Sequence, residues 1–207
     1  MDSLAVHLNW FKTKLILNFA STNIFFNMER IKLHDKSFKV FIPHSKIEKS
    51  IKAVAEQLNN DYKDVETPLF LSVLNGSFMF TADLMKSVNF NCEISFIRLS
   101  SYSGIKSSGE IKQIMGINQP LKGRSVIIVE DIVDTGATIE ELYSILMKAG
   151  VKDVKVCTLL FKPDAYKKDI KIDYAALRIP NDFIVGYGLD YNELGRQYKD
   201  IYVLDNN

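Results

Sequence analysis

Short apolar runs that alternate with helical periodicities predict an α/β protein: a twisted, mainly parallel sheet flanked by helices. Three observations carry this. Apolar runs of buried-strand type recur at 69–74, 92–99, 125–129, 154–161 and 174–179. Stretches with helical apolar spacing lie between or before several of them. This alternation of strand and helix implies a largely parallel sheet with helices on both faces.

Residues 31–42 show rough alternation and end at Pro43, which reads as one short strand. From Ser45 to Leu58 the apolar positions Ile47, Ile51, Val54, Ala55 and Leu58 have helical spacing, with Ser45 and Glu48 as a candidate capping box. The run at 69–74 stops at Asn75-Gly76, and a helical pattern follows over 78–88. Residues 125–129 are the clearest strand, entered from Lys122-Gly123. A helix over 138–148 closes at Gly150. In such sheets ligands sit beyond the carboxyl ends of the strands, so the residues following each run matter most.

Composition narrows the class. The chain has 207 residues, of which 47% are hydrophobic and 25% charged, enough for a sizeable core. Lys+Arg is 26 against 25 for Asp+Glu, a net charge of +1 that argues against a broad nucleic-acid face. Cys92 and Cys157 form no CxxC, and His7, His34 and His44 share no ligand-like spacing. Buried free thiols in a reducing compartment are expected. Residues 1–27 differ from the rest, with Trp10, Phe11, Phe19, Phe25 and Phe26 in an apolar stretch broken by Lys12 and Lys14. No run there approaches the ~20 residues of a spanning helix. The expected division is a dispensable extension over 1–27 and one domain over 28–207, with a short membrane or partner anchor as the other reading. A cytoplasmic protein without a membrane span is expected.

The strongest chemical signal runs from Val126 to Thr138. A buried strand ends in two adjacent carboxylates, Glu130 and Asp131, which are costly there unless something pairs with them. Ribose hydroxyls can. Asp134, Thr135, Gly136, Ala137 and Thr138 then lead into a helix, where free N–H groups and hydroxyls suit a phosphate. Neither GxxxxGK[ST] nor a GxGxxG in strand–turn–helix context is present. A plain turn capped by Thr138 explains the Thr and Gly but not the three carboxylates.

Residues 130–138 (EDIVDTGAT) resemble the signature of type I phosphoribosyltransferases, which bind phosphoribosyl pyrophosphate (PRPP). The likeness to the hypoxanthine-guanine branch extends from about Ile31 to Leu204. It implies that fold, with a small hood built from N- and C-terminal segments. It also implies that Glu130 and Asp131 hold the ribose 2′- and 3′-hydroxyls, and that Thr135, Gly136, Ala137 and Thr138 hold the 5′-phosphate. Asp134 would manage a purine proton as the catalytic group.

Other segments fit the branch. Lys162, directly after the 154–161 run, matches the donor to the purine O6. Residues 183–193 (FIVGYGLDYNE) match the base-binding and hood segment. There Phe183 would stack on the base and Ile184 would offer backbone hydrogen bonds. Asp190 would bind Mg2+, partly through water, beside Glu130 and Asp131. Arg196 would contact pyrophosphate. Asn75 and Gly76 occupy the pyrophosphate loop, where some members carry Lys in place of Asn75 and the peptide bond between its first two residues is often cis. Ser101 and Tyr102 lie in a Ser/Gly-rich stretch that resembles the loop closing over the reacting centre.

The implied activity is purine salvage: PRPP plus hypoxanthine, and guanine, giving IMP or GMP and pyrophosphate, with Mg2+ as cofactor and a homodimer or homotetramer as the assembly. A PRPP-sensing regulator on the same fold and a xanthine-preferring enzyme are the competing readings. The first needs a nucleic-acid surface or an added domain, for which neither the charge balance nor the 30–45 residues ahead of the fold provide.

Overall fold

The computed structural model describes residues 30–99 and 120–205. Five parallel strands form the central sheet: β3 (Leu69–Val73), β4 (Glu93–Ile97), β5 (Ser125–Val133), β6 (Asp153–Phe161) and β7 (Tyr174–Arg178), in the order β4-β3-β5-β6-β7. Alternate side chains of each strand face opposite layers. Phe70, Ile127, Val129, Cys157 and Leu159 pack with helix α1 (His44–Tyr62) and helix α2 (Phe78–Met85). Leu69, Leu71, Val126, Ile128 and Val156 face the other way, against Ile139, Leu142 and Leu146 of helix α3 (Ala137–Lys148). Because both faces are covered, Ser125–Glu130 is buried at every position.

A second, antiparallel sheet forms the hood: β1 (Arg30–Leu33), β2 (Lys36–Ile42), β9 (Ile201–Leu204) and β8 (Ile184–Val185), in the order β1-β2-β9-β8. N- and C-terminal segments thus build it together, as the resemblance implies. Its own small cluster is Leu33, Phe38, Val185 and Tyr202.

Several sequence expectations are corrected. Residues 31–42 are a hairpin rather than one strand: His34, at φ 51, and Asp35 turn β1 into β2, with Leu33 opposite Lys36. The Ser45/Glu48 capping box does not form. Pro43 is the N-cap without a side-chain bond, and Asp200 Oδ1 accepts the His44 N–H at 2.7 Å instead. That carboxylate satisfies one orphan donor of the first turn from the far end of the chain. Helix α2 ends at Met85, short of 88. Strand β5 continues past 129 to Val133, so Glu130 and Asp131 lie within it rather than beyond it. Thr138 is not the cap of α3, which has left-handed Gly136 as its N-cap and no side-chain cap bond. Strands β8 and β9 are additional to the predicted set.

Cys157 is buried and Cys92 half-buried, both as free thiols. Among the described residues no helix is long and apolar enough to cross a membrane.

Candidate active site

Those sequence-predicted residues that the structure describes lie at or just beyond the carboxyl ends of β3, β5 and β6 and on the hood segment that meets the end of β3 at Gly76 and Gly188. Glu130 and Asp131 are carried on β5 where β6 still pairs with it, Glu130 opposite Thr158, after the pairing with β3 has ended at Val129. Glu130 is buried, and its Oε2 has no hydrogen-bond partner. Burial, reinforced by the Asp131 charge, pushes its carboxyl well up. Asp131 keeps part of its surface open, yet burial still pushes its pKa up to about 6 against backbone N–H bonds and the Arg196 charge, which lower it. The unpartnered Glu130 oxygen needs a donor or a cation to be satisfied, whereas Asp131 already accepts the Ile132 N–H at 3.0 Å.

The loop after β3 closes against them. The Leu74–Asn75 peptide bond is cis. A side-chain carbon on Gly76 would fall 1.6 Å from Asp131 Oδ2, so any larger residue there must displace that carboxylate. Gly188, at φ +97, meets the other side of the loop, where an added carbon would sit 2.0 Å from the Gly76 carbonyl oxygen. Buried hydroxyls anchor the loop from below: Ser72 Oγ lies 2.7 Å from both Ser77 Oγ and Thr81 Oγ1. From above, the Tyr187 hydroxyl donates to Asp83 of α2.

Asp190 and Arg196 form an ion pair at 2.7 Å, and Arg196 also donates to the Gly188 carbonyl at 2.9 Å. Arg196 draws the Asp131 pKa down and Asp190 pushes it up, so the pair lies within electrostatic reach of that carboxylate. Gly136 sits at φ +86 in the turn ahead of α3, and a side-chain carbon there would meet Tyr166 at 2.4 Å. That glycine is therefore demanded by backbone conformation and by Tyr166, not by room for a phosphate alone. Thr135 and Ala137 are exposed and Thr138 partly so.

Lys162 follows β6 and is 7% exposed. Its ammonium donates to Asp134 Oδ2 at 3.3 Å and to Asn181 Oδ1 at 3.2 Å. Phe183 stands 45% exposed, propped by Phe38 at 6.0 Å and edge-on by Tyr191 at 5.6 Å between ring centroids. Ile184 is buried on β8. Ser101 and Tyr102 lie outside the described residues. Asn181 is a site neighbour that sequence reasoning missed, and its place just past the end of β7 was the available signal. A cleft of about 480 Å³ lies elsewhere, lined by Asp61, Ser125 and Asp173 at the opposite edge of the sheet, where Lys155 and Asp173 already pair with each other.

An apolar parallel sheet with acids and a glycine-capped helix at its carboxyl edge, under an antiparallel hood, is the arrangement of the type I phosphoribosyltransferase fold. The phosphoribosyl transferase domain model matches residues 41–192. The chain belongs to the phosphoribosyltransferase family, in its hypoxanthine-guanine branch. A hypoxanthine-guanine phosphoribosyltransferase of Lactococcus lactis is 42% identical over 167 residues, which are 80% of this chain and 90% of that protein. One from Bacillus subtilis is 40% identical over 80% of this chain and 92% of its own. A Trypanosoma cruzi hypoxanthine phosphoribosyl transferase structure superposes with a TM-score of 0.75 at 35% identity, covering 84% of this chain and 95% of that one. A Bacillus anthracis hypoxanthine-guanine phosphoribosyltransferase structure gives 0.73 at 34% identity, covering 81% and 96%.

Proposed function

We propose that this chain transfers the 5-phosphoribosyl group of PRPP to N9 of hypoxanthine or guanine and releases pyrophosphate. The observation that carries the reading is the buried Lys162 ammonium beside Asp134, one strand away from Glu130 and Asp131. A base donor and a ribose-binding acid pair thus share one sheet edge.

The roles divide as follows. Glu130 and Asp131 accept from the ribose diol, which supplies donors to the orphaned Glu130 oxygen. Residues Thr135, Gly136, Ala137 and Thr138 bind the 5′-phosphate with N–H groups and hydroxyls at the start of α3. Asn75 and Gly76 bind pyrophosphate through their backbone, with Arg196 and the Ser101-Tyr102 segment completing its contacts. Phe183 stacks on the base, Ile184 bonds its edge through the backbone, and Lys162 donates to O6. As the C1–O bond to pyrophosphate breaks and the C1–N9 bond forms, charge separates and the site's fixed dipoles stabilise it. Asp134 takes the purine proton.

The acids also suit Mg2+. Among the described residues no three His, Cys, Asp or Glu side chains cluster to enclose a metal. Mg2+ is commonly held by one or two carboxylates together with substrate phosphates, and unpartnered Glu130, raised Asp131 and nearby Asp190 fit that shared mode. When bound, the ion would neutralise charge on the leaving pyrophosphate. A cytosolic location suits the two free thiols. A homodimer or homotetramer suits the exposed Ile94 and Phe96 on edge strand β4, and light scattering would read the assembly.

Lys162→Gln tests the function. An ammonium has three donors and no acceptor, so it favours a 6-oxo group over a 6-amino group. A charged hydrogen bond of this kind is worth ~1.5–3 kcal/mol, so kcat/KM for hypoxanthine and guanine should fall about 10- to 100-fold. Adenine discrimination should relax and PRPP binding hardly change. A uniform loss across all three bases, or no loss for the oxopurines, would sink the assignment.

A further inference from the structure

We propose that Asn181 is a positioning residue for base recognition, its amide oxygen holding the Lys162 ammonium where it reads the 6-oxo group. This rests on the reading of Lys162 given above. Strands β6 and β7 run parallel with Phe161 opposite Arg178, and the Ile179 N–H donates to the Phe161 carbonyl at 2.9 Å. The two chain segments leaving the sheet therefore start side by side. One carries Lys162 and the other, two residues further on, carries Asn181.

The ammonium has three protons. Asp134 takes one at 3.3 Å and Asn181 another at 3.2 Å, which leaves one for an incoming acceptor. Asp134 alone would draw the flexible lysine onto itself as a simple ion pair. A second acceptor on the opposite strand end splits that pull and fixes the direction of the remaining proton. Asn181 supplies the acceptor without a second negative charge near Asp134. It also stands two residues before Phe183, so one short turn links the group that orients the O6 donor to the ring that supports the base.

The test compares two near-isosteric variants, since Asn181 is exposed and neither should unfold the protein. Asn181→Leu removes the acceptor, and Asn181→Asp keeps it. Losing one hydrogen bond to a charged partner should raise the hypoxanthine KM about tenfold in Asn181→Leu. The PRPP KM should stay within about twofold, and Asn181→Asp should recover the hypoxanthine KM to within about threefold. In a Lys162→Gln background, Asn181→Leu should add less than about twofold, because the two act through one contact. An unchanged hypoxanthine KM in Asn181→Leu, or an equal rise in both Asn181 variants, overturns the proposal. So does full additivity with a Lys162→Gln that itself behaves as an O6 reader. If Lys162→Gln leaves the oxopurines untouched, the reading of Lys162 fails first and this one with it.

Discussion

Asp131 touches Gly76, accepts the Ile132 N–H at 3.0 Å and is driven by burial up to about 6. In an unfolded chain its carboxyl ionises near ~3.9. The folded state therefore holds a proton that the unfolded state has lost between about pH 4 and 6, and stability falls as pH rises through that window. Above it, ionised Asp131 costs on the order of 1–3 kcal/mol once solvent screening at its open edge is allowed for. Asp131→Asn should therefore raise Tm at pH 7.5 and leave it nearly unchanged at pH 4, while cutting kcat/KM at least about tenfold. Thermal unfolding of both proteins at the two pH values reads this. An equal shift at both would show that the carboxylate carries no such penalty. The cost of two acids in an apolar run made this pair legible in the sequence. Asn181 was not, because its contact with Lys162 arises only when β6 and β7 become neighbours.

At the scale of elements, two loops from distant parts of the chain meet at Gly76 and Gly188. Each is tethered separately, the first by the Ser72, Ser77 and Thr81 hydroxyls and the second by Tyr187 on Asp83. Gly188→Ala would force a side chain into left-handed backbone and against the Gly76 carbonyl. A residue strained this way costs on the order of 1–3 kcal/mol, a fall in Tm of about 3–10 °C for a chain of this size. The Gly76 loop must also yield, so the PRPP KM should rise at least about tenfold. A lower Tm with an unchanged PRPP KM would show that the contact is structural only. Strands β3 and β5 were legible because each opens on a nearly continuous apolar run, and edge strand β4 because Ile94, Phe96 and their neighbours alternate. Strands β8 and β9 have only two and four residues, and their pairing is set by partners as remote as Val40 opposite Tyr202. For the same reason the cap of α1 was misplaced: its acceptor, Asp200, lies 156 residues away.

The whole molecule works as a rigid sheet under a hood that neither terminus can build alone. Strand β9 lies between β2 and β8, with Phe38 opposite Leu204 and Ile184 opposite Val203. Asp205, just beyond β9, is almost wholly buried between Arg30 at 3.1 Å and Lys39 at 3.4 Å. Phe38 is completely buried against Val185 and Tyr202 and also supports Phe183. The hairpin of β1 and β2 therefore reaches Phe183 directly from Phe38 and by way of Tyr191, and the Gly188 segment through β9 and β8. Two truncations separate this structural hairpin from the residues ahead of it. A chain beginning at Met28 keeps Arg30 and every strand of the hood, and it should match the full chain in kcat/KM and in Tm. A chain beginning at Pro43 loses β1 and β2, unpairs one edge of β9 and exposes Val185 and Tyr202. Full exposure of large apolar side chains costs about 1.5–3 kcal/mol each, enough with the lost ladder to loosen the hood. That chain should lose base binding first, seen as a hypoxanthine KM raised at least about tenfold, even where the five-stranded sheet still unfolds cooperatively. Full activity from the Pro43 chain would mean that the hairpin does not order the base site. An inactive or insoluble Met28 chain would mean that residues 1–27 belong to the working fold and that the domain boundary is misplaced.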